Sequence, residues 1–367
     1  MYKLLCIIFL FIGLESVNAQ DLSESIIDTS LTESELNYTD SINRLNELNN
    51  ILIASRNIYN IGLEQLLNEE YNRAIASFTK AILIDSTFTD AFISRGDCYV
   101  VSNKELAISD YLTAFNLDST NLIPLYKIGN IQSKSDTDLA LDTYLSIVYL
   151  NNKEHKAYYE IGVLQYLNEN YNLAIKAFTS SLDIKKDVRT LNDRGSCYRK
   201  LENYDLAIQD YLLAVTLNSE LSFIYNNLAS VYRKKGNNQK ALKYYTIAIS
   251  KDVSYFVAYN NRGSLYLDLN NWEKAKVDIE KAISLEANYA PSYNNMGVYF
   301  HKKKQYQLAF ENFGKAIQIN NNYAKAYLNR GISRQMIRDE DGACKDWNKA
   351  KELGISIANK YLGNDCN

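Results

Sequence analysis

Residue types that catalyse reactions are scarce in this sequence and lie far apart. The chain has two histidines, His155 and His301, and its carboxylates are spread along its whole length. A zinc centre or a histidine-based triad needs several such side chains to converge on one point. No glycine-rich phosphate loop, GxSxG turn or HExxH helix is present either. We therefore expect no enzyme, no catalytic residues, no metal and no cofactor.

The charge balance argues against a nucleic-acid partner. The sequence carries 40 lysines and arginines against 43 aspartates and glutamates, for a formal net charge of −3. Nucleic-acid-binding proteins usually show a strongly basic surface instead. Hydrophobic residues make up 47% of the chain, so a sizeable core can form.

The sequence repeats itself at a fixed period, and this repeat predicts its secondary structure. Small residues recur 33 or 34 positions apart, at Gly62, Gly96, Gly129, Gly162, Gly195, Ala229, Gly263, Gly297 and Gly331. Each is followed by an alanine and, four residues later, by a ring or a large apolar side chain, as in Ala74 with Phe78. Residues three or four apart share one helix face, so the pattern predicts stacked antiparallel helix pairs.

The period and residue types resemble those of the tetratricopeptide-repeat (TPR) family. The resemblance implies an all-α, right-handed superhelical solenoid of about nine helix pairs with terminal capping helices, spanning 55–353. The predicted repeats are 55–88, 89–121, 122–154, 155–187, 188–221, 222–255, 256–289, 290–323 and 324–353. The proline that the family places between repeats is missing here, although a serine such as Ser219 can still cap the next helix.

Four repeats carry an arginine before the small residue and an aspartate before the aromatic. The pairs are Arg95 with Asp110, Arg194 with Asp210, Arg262 with Asp278, and Arg330 with Asp346. The other five repeats have neither residue. This matching favours a structural ion pair inside each of the four repeats over arginines that bind a ligand's acidic groups.

A row of asparagines is the candidate binding surface. In the TPR family the first helix of each repeat lines the concave side, and the resemblance places the residue two before the glycine in that groove. The last four repeats all have asparagine there, and three have a second asparagine beside it: Asn227, Asn261, Asn295 and Asn329, with Asn226, Asn260 and Asn294. An amide can donate to a peptide carbonyl and accept from a peptide N–H. The row suits an extended peptide, although a solvated polar wall is the alternative interpretation.

Basic residues cluster near the ends of several first helices and would form a positive rim. They are Arg199, Lys200, Arg233, Lys234, Lys302 and Lys303. Such a rim favours an acidic partner through electrostatic steering, and a solvated turn explains it almost as well.

The four cysteines beyond Cys6 fall into two classes. Cys98 and Cys197 occupy the same position of repeats two and five, so stacked helices separate them by about 30 Å and they cannot pair. The end of the chain, from Ala343 to its last cysteine, resembles the ends of exported bacterial TPR proteins. That resemblance implies a disulfide between Cys344 and Cys366, if the terminal segment folds back around Gly354. Two free thiols are the alternative.

The N-terminal residues indicate export. The pattern is typical of a signal peptide at 1–19: a positive Lys3, an apolar run from Leu4 to Leu14, and small residues up to Ala19. An uncut signal anchor is the alternative. We expect a polar, disordered tether at 20–40, an N-terminal helix at 41–54 covering the first repeat, and a C-terminal cap at 354–367. No stable membrane span is expected after cleavage.

These patterns predict a non-catalytic scaffold that binds a protein or extended peptide in its concave groove, in the periplasm or outside the cell. A structural adaptor or accessory subunit of an envelope multi-protein complex, using its convex face or termini, is the alternative.

Overall fold

A computed structural model describes residues 33–366 of the chain. That part contains nineteen α-helices and no strand, so the predicted all-α class is confirmed. The predicted signal peptide at 1–19, and residues 20–32 of the predicted tether, lie outside the described residues. The chain divides into a first compact unit that ends at Asp110 and a second that begins at Tyr111.

The first unit contains the N-terminal helices. They are α1 (Glu33–Leu67), α2 (Tyr71–Ile84), α3 (Thr89–Ser102) and the first half of α4 (Lys104–Leu117). The last turns of α1 pack on α2 through a small core around Ala74, Phe78 and Cys98. Ser55 is fully buried and its hydroxyl donates to the carbonyl of Ala81 (3.0 Å).

The second unit contains the remaining helix pairs in sequence order. These are α5 (Ile123–Gln132), α6 (Thr137–Leu150), α7 (His155–Leu167), α8 (Tyr171–Ile184), α9 (Val188–Lys200), α10 (Tyr204–Leu217), α11 (Ser222–Lys234), α12 (Asn238–Lys251), α13 (Phe256–Asp268), α14 (Trp272–Leu285), α15 (Ala290–Lys302), α16 (Tyr306–Ile319), α17 (Ala324–Met336), α18 (Glu340–Glu352) and α19 (Ala358–Asp365). Each helix packs mainly on its neighbours in sequence, as in a solenoid.

The recurring glycine lets the two helices of a repeat approach closely. A methyl group built at Gly162 would lie 2.5 Å from the ring of Phe178, and one at Gly331 would lie 2.4 Å from the indole of Trp347. The opposing rings are almost fully buried. Glycine recurs at this position because a ring or a large apolar side chain of the second helix occupies the space that a Cβ would take.

A left-handed residue makes the turn between the two helices of most repeats. The same position, seven residues after the small residue, has φ near +60° at Glu69, Glu169, Glu202, Asn270, Lys304 and Arg338. Only in α11–α12 does a glycine, Gly236, occupy that position. Because non-glycine residues rarely adopt this conformation, the packing of the helix pair must impose it.

The N-terminal predictions need correction. Helix α1 runs unbroken from Glu33 to Leu67, so residues 33–40 are helical rather than part of a tether, and 41–54 is not a separate helix. Between Glu33 and Gly62 no proline or glycine interrupts the helix. Apolar side chains within 41–54, the segment expected to cover the first repeat, are exposed: Ile42 by 40%, Leu45 by 58%, Leu48 by 56% and Leu52 by 42%.

The C-terminal segment folds back onto the last repeat. Gly354, with φ of +91°, follows α18, and α19 then packs over Trp347, whose indole stacks on Tyr361 with centroids 5.0 Å apart. A disulfide joins Cys344 to Cys366, with their Cα atoms 5.7 Å apart. The structure therefore has the bridge that the resemblance implied, and not two free thiols.

Candidate functional site

The four arginine–aspartate pairs are present as bidentate ion pairs. In each, the guanidinium Nε and Nη2 donate to the two carboxylate oxygens at 2.7–2.8 Å. The aspartates are 3–6% exposed. In Arg194 the hydrogen bond to Asp210 raises the guanidinium's pKa further above its ordinary value. These arginines are occupied within their own repeats, which supports the structural interpretation over ligand binding.

Three of the four arginines also contact the preceding repeat. The Nη1 of Arg95, Arg194 and Arg262 donates to the hydroxyl of Thr79, Thr179 and Thr246, at 3.0–3.1 Å. Arg330 has Gly314 at the corresponding position. Each ion pair thus also couples neighbouring repeats, except at Arg330, where the hydroxyl is missing.

Four asparagines form what we call the amide ladder: Asn227, Asn261, Asn295 and Asn329. Each donates from Nδ2 to the Oδ1 of an asparagine 35 residues earlier, on the first helix of the preceding repeat. The acceptors are Asn192, Asn226, Asn260 and Asn294, at 2.8–3.0 Å. Every ladder side chain is half-buried. One N–H of each amide is used between repeats, which fixes its orientation and leaves the second N–H for another acceptor.

The second asparagines predicted for the groove have a different role. Asn226, Asn260 and Asn294 are only 5%, 3% and 6% exposed, and their Oδ1 atoms accept the ladder bonds. The prediction that they contact a partner is therefore corrected. Adjacent residues on a helix point about 100° apart, so a residue next to the ladder turns toward the neighbouring helix.

Carboxylates occupy the ladder position in repeats four and five. Asp193 accepts from the hydroxyl of Tyr159 (2.9 Å) and from the Nδ2 of Asn192 (2.9 Å). Burial raises the pKa of Asp193 and of Glu160 above the ordinary values of carboxyl groups. Amides occupy the ladder position without interruption only from repeat six onward, where neutral groups replace the half-buried acids.

A cavity of about 690 Å³ lies beside the ladder in the second unit. Its wall includes the ladder residue Asn261 and three of the predicted rim residues, Arg199, Arg233 and Lys234. Lys325 contributes a fourth cation and Asp268 the single acidic side chain. Ser230 and Tyr245 also line it; their hydroxyls lie 3.1 Å apart, and burial raises the pKa of Tyr245. The ladder and part of the rim thus meet at one place.

The other predicted rim residues do not line this cavity. Lys200 places its ammonium 5.8 Å from the ring of Tyr171, and Lys303 lies 3.9 Å from a carboxylate oxygen of Glu273. Lys302 is exposed at the end of α15. The continuous positive rim suggested by the sequence is therefore divided, with three of its members gathered around one cavity.

The two unpaired cysteines lie in packed surroundings. Cys98 and Cys197 are free thiols with no exposed surface. Burial raises the pKa of Cys98 to about 11 and that of Cys197 to about 12. Thiolates are the reactive form, so both groups are inert core residues at neutral pH.

Sequence reasoning missed two features of the site. It did not identify Asn192 as a ladder acceptor, nor the threonines that bind the arginines. The signal was present, since 35 residues separate each ladder pair and 15 or 16 separate each threonine from its arginine. Only the stacking of neighbouring repeats turns those separations into contacts.

Comparison with known families decides the classification. A family model of the tetratricopeptide repeat matches residues 55–88, 155–187, 188–221, 257–289 and 290–323, and a second such model matches 224–254. The matches together cover more than half of the sequence. The chain belongs to the tetratricopeptide-repeat family. Proteins of this family are generally non-catalytic scaffolds.

Solved structures share the TPR fold. A tetratricopeptide repeat protein from Parabacteroides merdae has a TM-score of 0.56 at 20% identity, covering 67% of this chain and 98% of its own. A structure of the APC/C hetero-tetramer Cut9–Hcn1 has a TM-score of 0.56 at 12% identity, covering 84% and 76%. YrrB, described as a TPR protein with an unusual peptide-binding site, has a TM-score of 0.43 at 23% identity, covering 53% and 97%. None of the curated protein sequences matches this chain.

Two further findings bear on the kind of site. Within residues 33–366, no cluster of three or more histidine, cysteine or acidic side chains is arranged to hold a metal ion. In the same part of the chain, no helix is both long and apolar enough to cross a membrane.

Proposed function

We propose that this TPR protein is a non-catalytic scaffold that binds an extended segment of a partner protein along the amide ladder. The observation that carries the proposal is the orientation of Asn227, Asn261, Asn295 and Asn329 by bonds between repeats. A row of amides fixed before binding loses little side-chain entropy when a peptide backbone pairs with it. Amides recognise a backbone regardless of its sequence, while the adjacent cavity offers a contact for side chains.

We further propose that the protein works outside the cytoplasm. The N-terminal pattern supports export, and the Cys344–Cys366 bridge suits an oxidising compartment, where disulfides persist. Mass spectrometry of the protein purified from its own cells tests this point. The expected N-terminus is Gln20, and a chain that begins at Met1 would contradict cleavage.

The test of the ladder is a parallel capture of partners from an envelope extract. The variant changes all four ladder asparagines to alanine. A matched control changes four exposed turn asparagines to alanine, namely Asn68, Asn152, Asn288 and Asn321. Captured proteins lost by the ladder variant and kept by the control would support the proposal, provided that circular dichroism shows equal helix content. The single Asn261→Ala change, which disturbs fewer contacts between repeats, provides a second variant.

An adaptor function through the N-terminus is the second candidate, and the exposed face of α1 favours it. Leu45 and Leu48 are more than half exposed, and Ile42 and Leu52 lie on the same helix, at 40% and 42% exposure. Exposed apolar side chains that cluster on one element are typical of interaction surfaces. If Leu45→Ser with Leu48→Ser removes the captured proteins while the ladder variant keeps them, this candidate replaces the first.

A further inference from the structure

The cavity beside the ladder carries more positive than negative charge. Four cations line it, namely Arg199, Arg233, Lys234 and Lys325, against the single carboxylate of Asp268. The whole chain, by contrast, has a formal charge of −3. The excess of positive charge is therefore a local property of the cavity and does not follow from the composition of the chain.

One of the two arginines is paired within the protein. The Nη2 of Arg233 donates to Asp268 and to the hydroxyl of Ser264, the latter at 3.1 Å. Asp268 stands 35 residues after Arg233, at the end of the next repeat's first helix. The chain thus supplies its own carboxylate at this position.

Arg199 occupies the equivalent position one repeat earlier and lacks that partner. Both arginines stand four residues after the small residue of their repeat, Gly195 or Ala229. The residue 35 after Arg199 is Lys234, so a lysine stands where the neighbouring repeat has aspartate. Within the described residues, Arg199 makes no ion pair, and its Nε atom is buried without a hydrogen-bond acceptor.

A buried guanidinium Nε without an acceptor is costly, and the lysine that lines the same cavity adds like charge. The excess of positive charge favours an anion from outside the chain. A carboxylate suits it best, because guanidinium and carboxylate groups pair through two parallel hydrogen bonds. Asn261 lines the same cavity and can hold the backbone that carries such a carboxylate.

We propose that this cavity binds the carboxylate side chain of an acidic peptide segment, with Arg199 as the main contact and Lys234 beside it. The proposal deepens the proposed function and rests on it: the ladder holds the backbone, and the cavity selects a partner rich in glutamate or aspartate.

Two fluorescein-labelled peptides of about ten residues test this in the full mature chain by fluorescence anisotropy. One alternates glutamate with serine and the other, its neutral counterpart, alternates glutamine with serine. We expect the glutamate peptide to bind at least about tenfold more tightly, since a close charge pair commonly contributes that much. The Arg199→Met change should remove this preference and leave the glutamine peptide unaffected.

The Lys234→Asp change gives the sharper result, because it restores the pairing that Arg233 has with Asp268. It should remove the preference for glutamate without unfolding the protein. The matched control is Lys281→Asp, which makes the same charge change at an exposed position of α14 away from the cavity. The control should change glutamate-peptide affinity by less than about twofold at physiological ionic strength, where remote surface charges are screened.

Equal losses in Lys234→Asp and Lys281→Asp would show that net charge alone attracts the peptide, and would overturn the proposal. So would equal affinity of the two peptides for the unchanged chain. If captured partners depend on the ladder asparagines but not on Arg199 or Lys234, the proposed function stands and the acidic preference falls. If the ladder substitutions change neither the affinity of the two peptides nor the set of captured partners, the proposed function itself is wrong.

Discussion

At the scale of single residues, the bidentate ion pairs show how one repeat holds its two helices together. Arg262 and Asp278 lie on α13 and α14, and their side chains are 16% and 6% exposed. Removing one partner leaves a buried charge without compensation, whereas replacing both with apolar residues removes the cost of burying two ions.

We therefore expect Arg262→Ala to lower the free energy of unfolding by about 3–5 kcal/mol. The double change of Arg262 and Asp278 to leucine should cost less than about 1 kcal/mol, since it removes both charges. Urea unfolding followed by circular dichroism measures both. Equal losses in the single and double variants would show that the pair does not act as a unit.

Gly314 allows the arginine–threonine contact to be measured by addition instead of removal. A Cβ at this position meets nothing nearer than the Nη1 of Arg330, at 3.9 Å, so a larger side chain fits. We expect Gly314→Thr to be more stable than Gly314→Val by about 1 kcal/mol, the usual net contribution of a hydrogen bond. Valine matches threonine in shape and helix propensity, so thermal unfolding of the two variants isolates the hydroxyl. Identical midpoints would mean that the bond adds nothing.

Residue identities predicted contacts inside a repeat better than contacts between repeats. Arg194 and Asp210 could be matched because they occur together in the sequence. Asn226 was assigned to the wrong surface, because composition does not show which of two adjacent asparagines turns toward the neighbouring helix. Arg199 was predicted as one of the basic rim residues. That it lacks a carboxylate partner became clear only from comparison with Arg233, which pairs with Asp268.

At the scale of elements, helix boundaries followed the repeat pattern where both members of a pair were periodic. Helix α1 departed from the prediction because a polar composition at 20–40 was taken as a sign of disorder. Residues 33–40 contain neither glycine nor proline, and they continue a helix whose C-terminal turns are held by α2. A chain that is anchored at one end can remain helical well beyond its contacts.

The terminal helix α19 depends on the disulfide because it is only eight residues long. Such a helix is unstable alone and must be held by packing and by the bridge between Cys344 and Cys366. We expect Cys366→Ser to destabilise the last repeat by about 3 kcal/mol, from the loop of 22 residues that the bridge closes.

Hydrogen exchange with mass spectrometry measures this loss locally. Protection should fall in α18 and α19 and remain unchanged in α9 and α10, several repeats away. Reduction of the unchanged chain should reproduce the same pattern. If protection falls equally along the whole second unit, the bridge would have a wider role than holding the terminal cap.

At the scale of the whole molecule, the order of contacts along the chain determines which repeats can be deleted without unfolding the others. In the second unit each helix packs mainly on its sequence neighbours, so stability is close to a sum of repeat and interface contributions. The complete amide ladder and the cavity lie between Asn192 and Asn329. Repeats that precede α7 contribute no residue to either.

A fragment of residues 152–366 should therefore fold and retain the site. It keeps α7 and α8, which cover α9. Leu191 of α9 therefore stays buried in the core beside Leu182 of α8. We expect circular dichroism per residue close to that of the full chain, and affinity for the glutamate peptide within about threefold, because all the charges of the cavity are present. A shorter fragment that begins at 188 exposes the face of α9 and should be less stable. A folded 152–366 fragment that no longer binds the peptide would show that the earlier repeats contribute to recognition, and that the ladder and cavity do not suffice.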